Sequence, residues 1–137
     1  MSKRSTGRKL AMQALYQAEI RHLEVSQILE EMFEEKNFVK ETKDWAEQLA
    51  QGTYKEKTQL DDVIKKYAID WEIDRIHLID KNLLRLGIYE MVHLKTEKNI
   101  VIDEIINIAK KYSSDEAPKF INGVLDQVSK KECLQDS

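Results

Sequence analysis

Apolar residues recur three and four positions apart through almost the whole chain, and this helical period constrains the fold more than any other feature. Leu10, Ala11, Ala14, Leu15 and Ala18 mark a first helix over about residues 6–21, with Ser5 or Thr6 as N-cap. Ile28, Leu29, Met32 and Phe33 mark a second over about 26–35. Trp45, Leu49, Leu60, Val63, Ile64 and Tyr67 carry a long third stretch, about 41–68, which Gly52 is placed to bend or divide. The pattern lapses over Asp70–Asp74 and resumes through Ile76, Ile79, Leu83, Leu84, Leu86, Ile88, Tyr89, Met91 and Val92. This fourth helix is apolar on more than one side, the mark of a central, buried element. Ile102, Ile105, Ile106 and Ala109 outline a fifth. Beyond the cap signal Ser113-Ser114-Asp115, a sixth runs to about residue 131 through Ala117, Ile121, Val124, Leu125 and Val128. Pro118 suits its first turn, where the missing N–H has no partner to lose.

Four Gly and one Pro among 137 residues exclude collagen-like and low-complexity chains and argue against a β-sandwich. A domain of this size buries roughly two-thirds of the surface its unfolded chain exposes, so it needs neither metal nor disulfide to hold a core. The expectation is all-α, a single compact helical domain over 1–137 with a basic N-terminal arm, 1–9, and a polar C-terminal tail, 131–137. Cys133 is alone and builds neither a disulfide frame nor a zinc site. No segment reads as a signal peptide or a membrane span, which points to the cytosol and to no membrane partner.

A net charge of -3 and a pI of about 5.7 argue, on their face, against a nucleic-acid partner. Position changes this inference. Residues 1–23 carry Lys3, Arg4, Arg8, Lys9 and Arg21 against Glu19, a balance of +4, while 24–62 stand at -6 and the remainder at -1. The acidic block reads as solvated helix faces; the basic arm reads as a partner site.

Catalysis finds little support. His22, His77 and His93 are scattered and have no companion at metal-ligand spacing, and neither a glycine-rich phosphate loop nor a nucleophile elbow is present. The reading is non-enzymatic, with no cofactor and no metal. More informative are residues off the apolar stripes. Projected at about 100° per residue, Arg8, Lys9, Gln13 and Tyr16 lie away from the first helix's core sector. Met12 and Ile20 share that side, so coverage by another helix is the alternative for Tyr16. On the last helix Phe120 sits at the core margin, and Lys119 lies opposite the core. Aromatic rings beside cations and amides suit single-stranded RNA: bases stack on the rings, cations attract phosphates, and amides read base edges.

The segments RKLAMQALYQ (8–17), DKNLLRLGIYEM (80–91) and IVIDEIINIAKKYSSDEAPKFINGVLDQV (100–128) resemble the transcription antitermination factor NusB family in order and spacing. That resemblance implies two three-helix bundles packed together. It also implies binding to boxA, a single-stranded element in ribosomal RNA leader transcripts, jointly with the small-subunit ribosomal protein NusE. The pair helps assemble an antitermination complex on RNA polymerase with other Nus factors, and the family admits monomers and homodimers. A similar module begins certain RNA cytosine methyltransferases; no methyltransferase domain follows here, which favours the stand-alone factor. Carried over residue by residue, the resemblance puts Lys3, Arg4, Arg8, Gln13, Tyr16, Lys119 and Phe120 on the RNA surface. Asp80, Arg85, Tyr89 and Glu90 fall where the protein partner makes contact. The family's arginine cluster is thinner here, with Ser5 and Thr6 among the basic positions. Asn122 and Gly123 are expected to serve helix packing. The rival reading is a protein-only adaptor whose basic arm has no RNA role.

Overall fold

A computed structural model describes residues 2–133; it contains seven α-helices and, among those residues, no strand. Residues 134–137 of the expected polar tail lie outside the described residues, whereas Lys131 and Glu132 close the last helix. The chain divides between Lys55 and Glu56 into two compact units.

The N-terminal unit is a three-helix bundle of α1 (Lys3–Arg21), α2 (Val25–Glu35) and α3 (Lys40–Lys55). Helix α1 starts three residues before the expected point because Ser2 is itself a competent N-cap: its Oγ accepts from the Ser5 N–H at 3.0 Å. Most of the basic arm is therefore helix. The chain leaves α1 through His22 in the left-handed region, φ 57°. Glu24 and Gln27 form a reciprocal capping box that opens α2. Ala11, Ala14, Ala46 and Ala50 are fully buried, so α1 and α3 approach closely. Closest of all is Gly7, where an added Cβ would lie 2.7 Å from Cδ1 of Trp45 and 3.3 Å from the Thr42 carbonyl.

The C-terminal unit holds four helices, which brings the described residues to seven, within the six to seven helices expected of the fold. The long third stretch breaks at Glu56, not at Gly52, and its second half, α4 (Lys57–Tyr67), joins α5 (Leu78–Ile88), α6 (Lys98–Tyr112) and α7 (Ala117–Glu132). Every residue from Asn82 to Ile88 is buried, as an all-round apolar pattern requires. Helix α5 then widens into a π turn, Tyr89–His93, which the Leu94 N–H closes on the Tyr89 carbonyl. Gly87 lets α5 settle against Leu125 and Ile105; a Cβ there would stand 3.1–3.3 Å from their side chains.

Two polar links tie this unit together. Arg85 donates to both carboxylate oxygens of Asp61 on α4, Nε to Oδ1 at 2.6 Å and Nη2 to Oδ2 at 2.9 Å, while Nη1 donates to Asn82 Oδ1. At the far end, the Tyr67 phenol donates to Glu132 Oε2 at 2.5 Å and the Lys66 ammonium approaches the same oxygen at 3.3 Å. The Tyr67 hydrogen bond, aided by Lys66, holds the Glu132 carboxyl below the usual carboxylate range against the upward push of partial burial.

Asp61→Ala removes the two-pronged carboxylate contact of an Arg85 guanidinium that is 3% exposed. Breaking such a pair costs about 3 kcal/mol, the low end for buried pairs because Asp61 retains some solvent access. Urea melts check this, and Arg85→Met added to Asp61→Ala should recover most of the loss. A second expectation concerns pH. Because the folded state lowers the Glu132 value, its stabilisation is complete above the usual carboxylate range and fades as pH falls through the lowered folded value. Thermal melts across the acid range should therefore show a flatter acid limb for Glu132→Gln than for the parent chain.

Candidate nucleic-acid interface

In the N-terminal unit, the basic residues of α1 separate by depth. Lys3 and Arg4 are exposed, Lys9 is half-buried, and Arg8 is buried at 2% exposure. The Arg4 guanidinium carbon lies 3.9 Å from the centroid of the Trp45 ring, and that of Arg8 lies 5.6 Å from it. Arg8 is the clearest correction to the projection. The helix is covered by α2 and α3 together, so its buried surface is wider than its own apolar stripe and takes in Gly7, Arg8 and Met12. As placed, Arg8 is a packing cation and not an open contact.

The positions of Lys3 and Arg4 are unfavourable for the helix itself. Positive charge in the first turn opposes the helix dipole, and α1 has no acid there. The exposed pair of Lys3 with Glu41, 3.2 Å, offsets little of this because both partners are wet. What such a terminus favours is an anion, because the positive end of the helix dipole and two cations lie in the same turn.

Further along α1, Gln13 and Tyr16 are half-buried and line an open groove of about 580 Å³, with Leu10, Met32, Lys36 and Phe38 among its walls. Lys36 Nζ stands 5.5 Å from the Phe38 ring centroid, and Phe33 meets Phe38 edge-on at 6.3 Å. The groove therefore offers a phenol, amides, a second aromatic ring and a cation to one occupant, with the Glu35 carboxylate beside the cation at its edge. Helix α2 and the turn beyond it border Tyr16 without burying it.

In the C-terminal unit, Lys119 is exposed and Phe120 half-buried at the start of α7. Phe120 packs against Trp71, ring centroids 5.1 Å apart and inclined at 52°. Trp71 escaped the sequence reading because it falls where the helical pattern lapses; an aromatic in such a gap was the available signal. Asn122 and Gly123 are exposed, and a Cβ on Gly123 would meet nothing within 4 Å, so neither serves the helix packing expected of them.

The residues assigned to the protein partner are mostly turned inward. Arg85 is spent on Asp61 and Asn82. Asp80 is buried and accepts from Ser113 Oγ at 2.5 Å, which ties the start of α5 to the end of α6. Glu90 is fully buried, and its carbonyl accepts from the Thr96 N–H. Only Tyr89 is half-exposed, stacked on the imidazole of His93 at 5.1 Å. These three charges sit inside because each has a protein group to satisfy it or a packed element over it; sequence position alone does not reveal that depth.

Among the described residues no group of three or more His, Cys, Asp or Glu is placed to hold a metal, and no helix is long and apolar enough to cross a membrane.

Comparison with known proteins gives a consistent result. The NusB family model matches residues 5–130. The chain is 35% identical over 130 residues to the transcription antitermination protein NusB of Nitratiruptor sp., covering 95% of this chain and 94% of that protein. It is 36% identical over 127 residues to the Bacillus subtilis protein of the same name, covering 92% and 94%. Among solved structures, T. maritima NusB matches with a TM-score of 0.90 at 33% identity over 99% of this chain and 96% of that one. A structure of antitermination factors NusB and NusE in complex with dsRNA matches with a TM-score of 0.87 at 32% identity, over 95% and 98%. The family match spans α1 from Ser5 onward, the buried α5 and the aromatic start of α7, and the chain belongs to the NusB family.

Proposed function

We propose that this chain is a non-enzymatic transcription antitermination factor of the cytosol. It binds the boxA single-stranded RNA of ribosomal RNA leader transcripts together with NusE, and the chain works as one module in assembling an antitermination complex on RNA polymerase. The observation that carries this reading is helix α1, whose first turn holds exposed Lys3 and Arg4 and whose later turns set Gln13 and Tyr16 on the wall of an open groove. Lys119 and Phe120 offer a second cation and ring in the C-terminal unit. A relative in this family was solved with NusE and dsRNA, which supports RNA and NusE as partner classes. That duplex makes strand state a variable of the test. Of the four residues assigned to NusE contact, Tyr89 is the accessible member, so the partner surface is centred on the π turn and not on Asp80, Arg85 or Glu90.

The role of each group follows from chemistry. Lys3, Arg4 and Lys119 draw phosphates, Tyr16 and Phe120 stack bases, and Gln13 supplies a donor and an acceptor to a base edge. The three exposed cations among these assigned residues imply a small footprint. With about -0.7 per neutralised phosphate on a single strand, the log-log salt slope should be about -2.

Fluorescence anisotropy with a boxA-like single strand and the matching duplex, each with and without NusE, tests the reading. The single strand should bind more tightly than the duplex, and NusE should strengthen binding. Tyr16→Ala should weaken it by about 1–3 kcal/mol with the thermal melt unchanged. Lys3→Ala/Arg4→Ala should make the salt slope shallower by about 1.4. This double substitution is preferable to deleting residues 1–9, which would also remove the Gly7 and Arg8 packing. Failure to bind either RNA at low salt, with NusE present, overturns the proposal and favours the protein-only adaptor.

A further inference from the structure

The fold's own packing leaves one large aromatic unexplained. Trp71 is 53% exposed and Ile69, two residues before it, is 84% exposed, in the short segment between α4 and α5. An indole kept half in water costs apolar burial that a small side chain would not forfeit. Trp71 is nonetheless held in place: its ring meets Phe120, and the two rings wall a pocket of about 240 Å³ whose other sides include Arg75, His77, Asp80 and Ser114.

We infer that this pocket receives a single unstacked nucleobase of the bound RNA, with Trp71 as a stacking residue alongside Phe120. The inference rests on the RNA-binding reading above and adds a residue and a subsite to it. Three features point to a base. The pocket's apolar surface is supplied by two flat rings, and a base presents a π-face whatever its identity. Its polar lining mixes donors, on Arg75, His77 and Ser114, with the Asp80 carboxylate, as a base edge with both kinds of group requires. Because Asp80 and the neighbouring Glu116 are acidic, a phosphate would be repelled from the interior, while exposed Lys119, outside it, attracts the backbone. The base enters and the phosphates stay at the rim.

The test uses the full chain and a boxA-like single strand carrying 2-aminopurine at successive positions, since stacking on an aromatic ring quenches that base. The parent chain should quench strongly at one position, and Trp71→Leu and Trp71→Ala should abolish the quench. Affinity for the strand should fall about five- to a hundredfold in both, the range expected for one base–aromatic stack. Trp71→Phe, which keeps a ring, should stay within about threefold of the parent on the same ground. Unchanged affinity and quenching in Trp71→Leu overturns the inference while leaving RNA binding intact. So does a retained quench in Trp71→Leu accompanied by a lower melting temperature, which assigns the ring to packing. Affinity for NusE lost while RNA binding is unchanged reassigns the pocket to the protein partner. If the parent chain binds no RNA, the inference falls together with the reading on which it rests.

Discussion

The contact between Gly7 and Trp45 sets the geometry on which the basic face depends. Glycine at this position lets the indole lie against the backbone of α1, where even a methyl group would fall 2.7 Å from Cδ1. With the ring seated there, residues one turn apart on α1 meet it differently: Arg4 stacks from the exposed side at 3.9 Å, and Arg8 is drawn under cover. One packing decision thus divides the arginines into an exposed cation and a buried one. Ser2 caps the helix that carries both, so the arm is helical from Lys3 onward.

Burial of charge in the C-terminal unit follows a related logic. Arg85, Asp80 and Glu90 occupy the most enclosed helix of the unit. The Arg85 fork is answered by Asp61 and Asn82, and Asp80 by Ser113. An ionised group inside a core costs several kcal/mol unless its hydrogen bonds are met, and these pairings meet that cost. Their effect on function is indirect. They hold α4, α5 and α6 together, and α7 presents Phe120 to Trp71 from the packing of its own apolar stripe on that core.

Helical periodicity made most of the fold legible, because each helix buries a stripe and stripes repeat regardless of partner. The limits of that legibility are specific. The start of α1 turned on a single serine hydroxyl, and the break at Glu56 occurs where no Gly or Pro marks it. The depth of Arg8 depended on two other helices covering one face, and the Asp61–Arg85 pair joins residues 24 apart, beyond any local pattern. Trp71 was hidden by its setting, since a wheel projection has nothing to say about a residue between helices. Tyr16 and Gln13, by contrast, stand where their offset from the apolar stripe placed them, on the wall of an open groove.

The acidic total conceals a small basic feature with aromatic rings and an amide beside it, and that local chemistry is what the account says RNA contacts. Ultraviolet cross-linking of the intact chain to a boxA-like single strand, followed by peptide mapping, tests this most directly. Adducts are expected on the peptides that contain Tyr16 and Phe120 and none on the buried stretch Asn82–Ile88. Adducts confined to residues 40–62, or no adducts on either aromatic peptide, would contradict it.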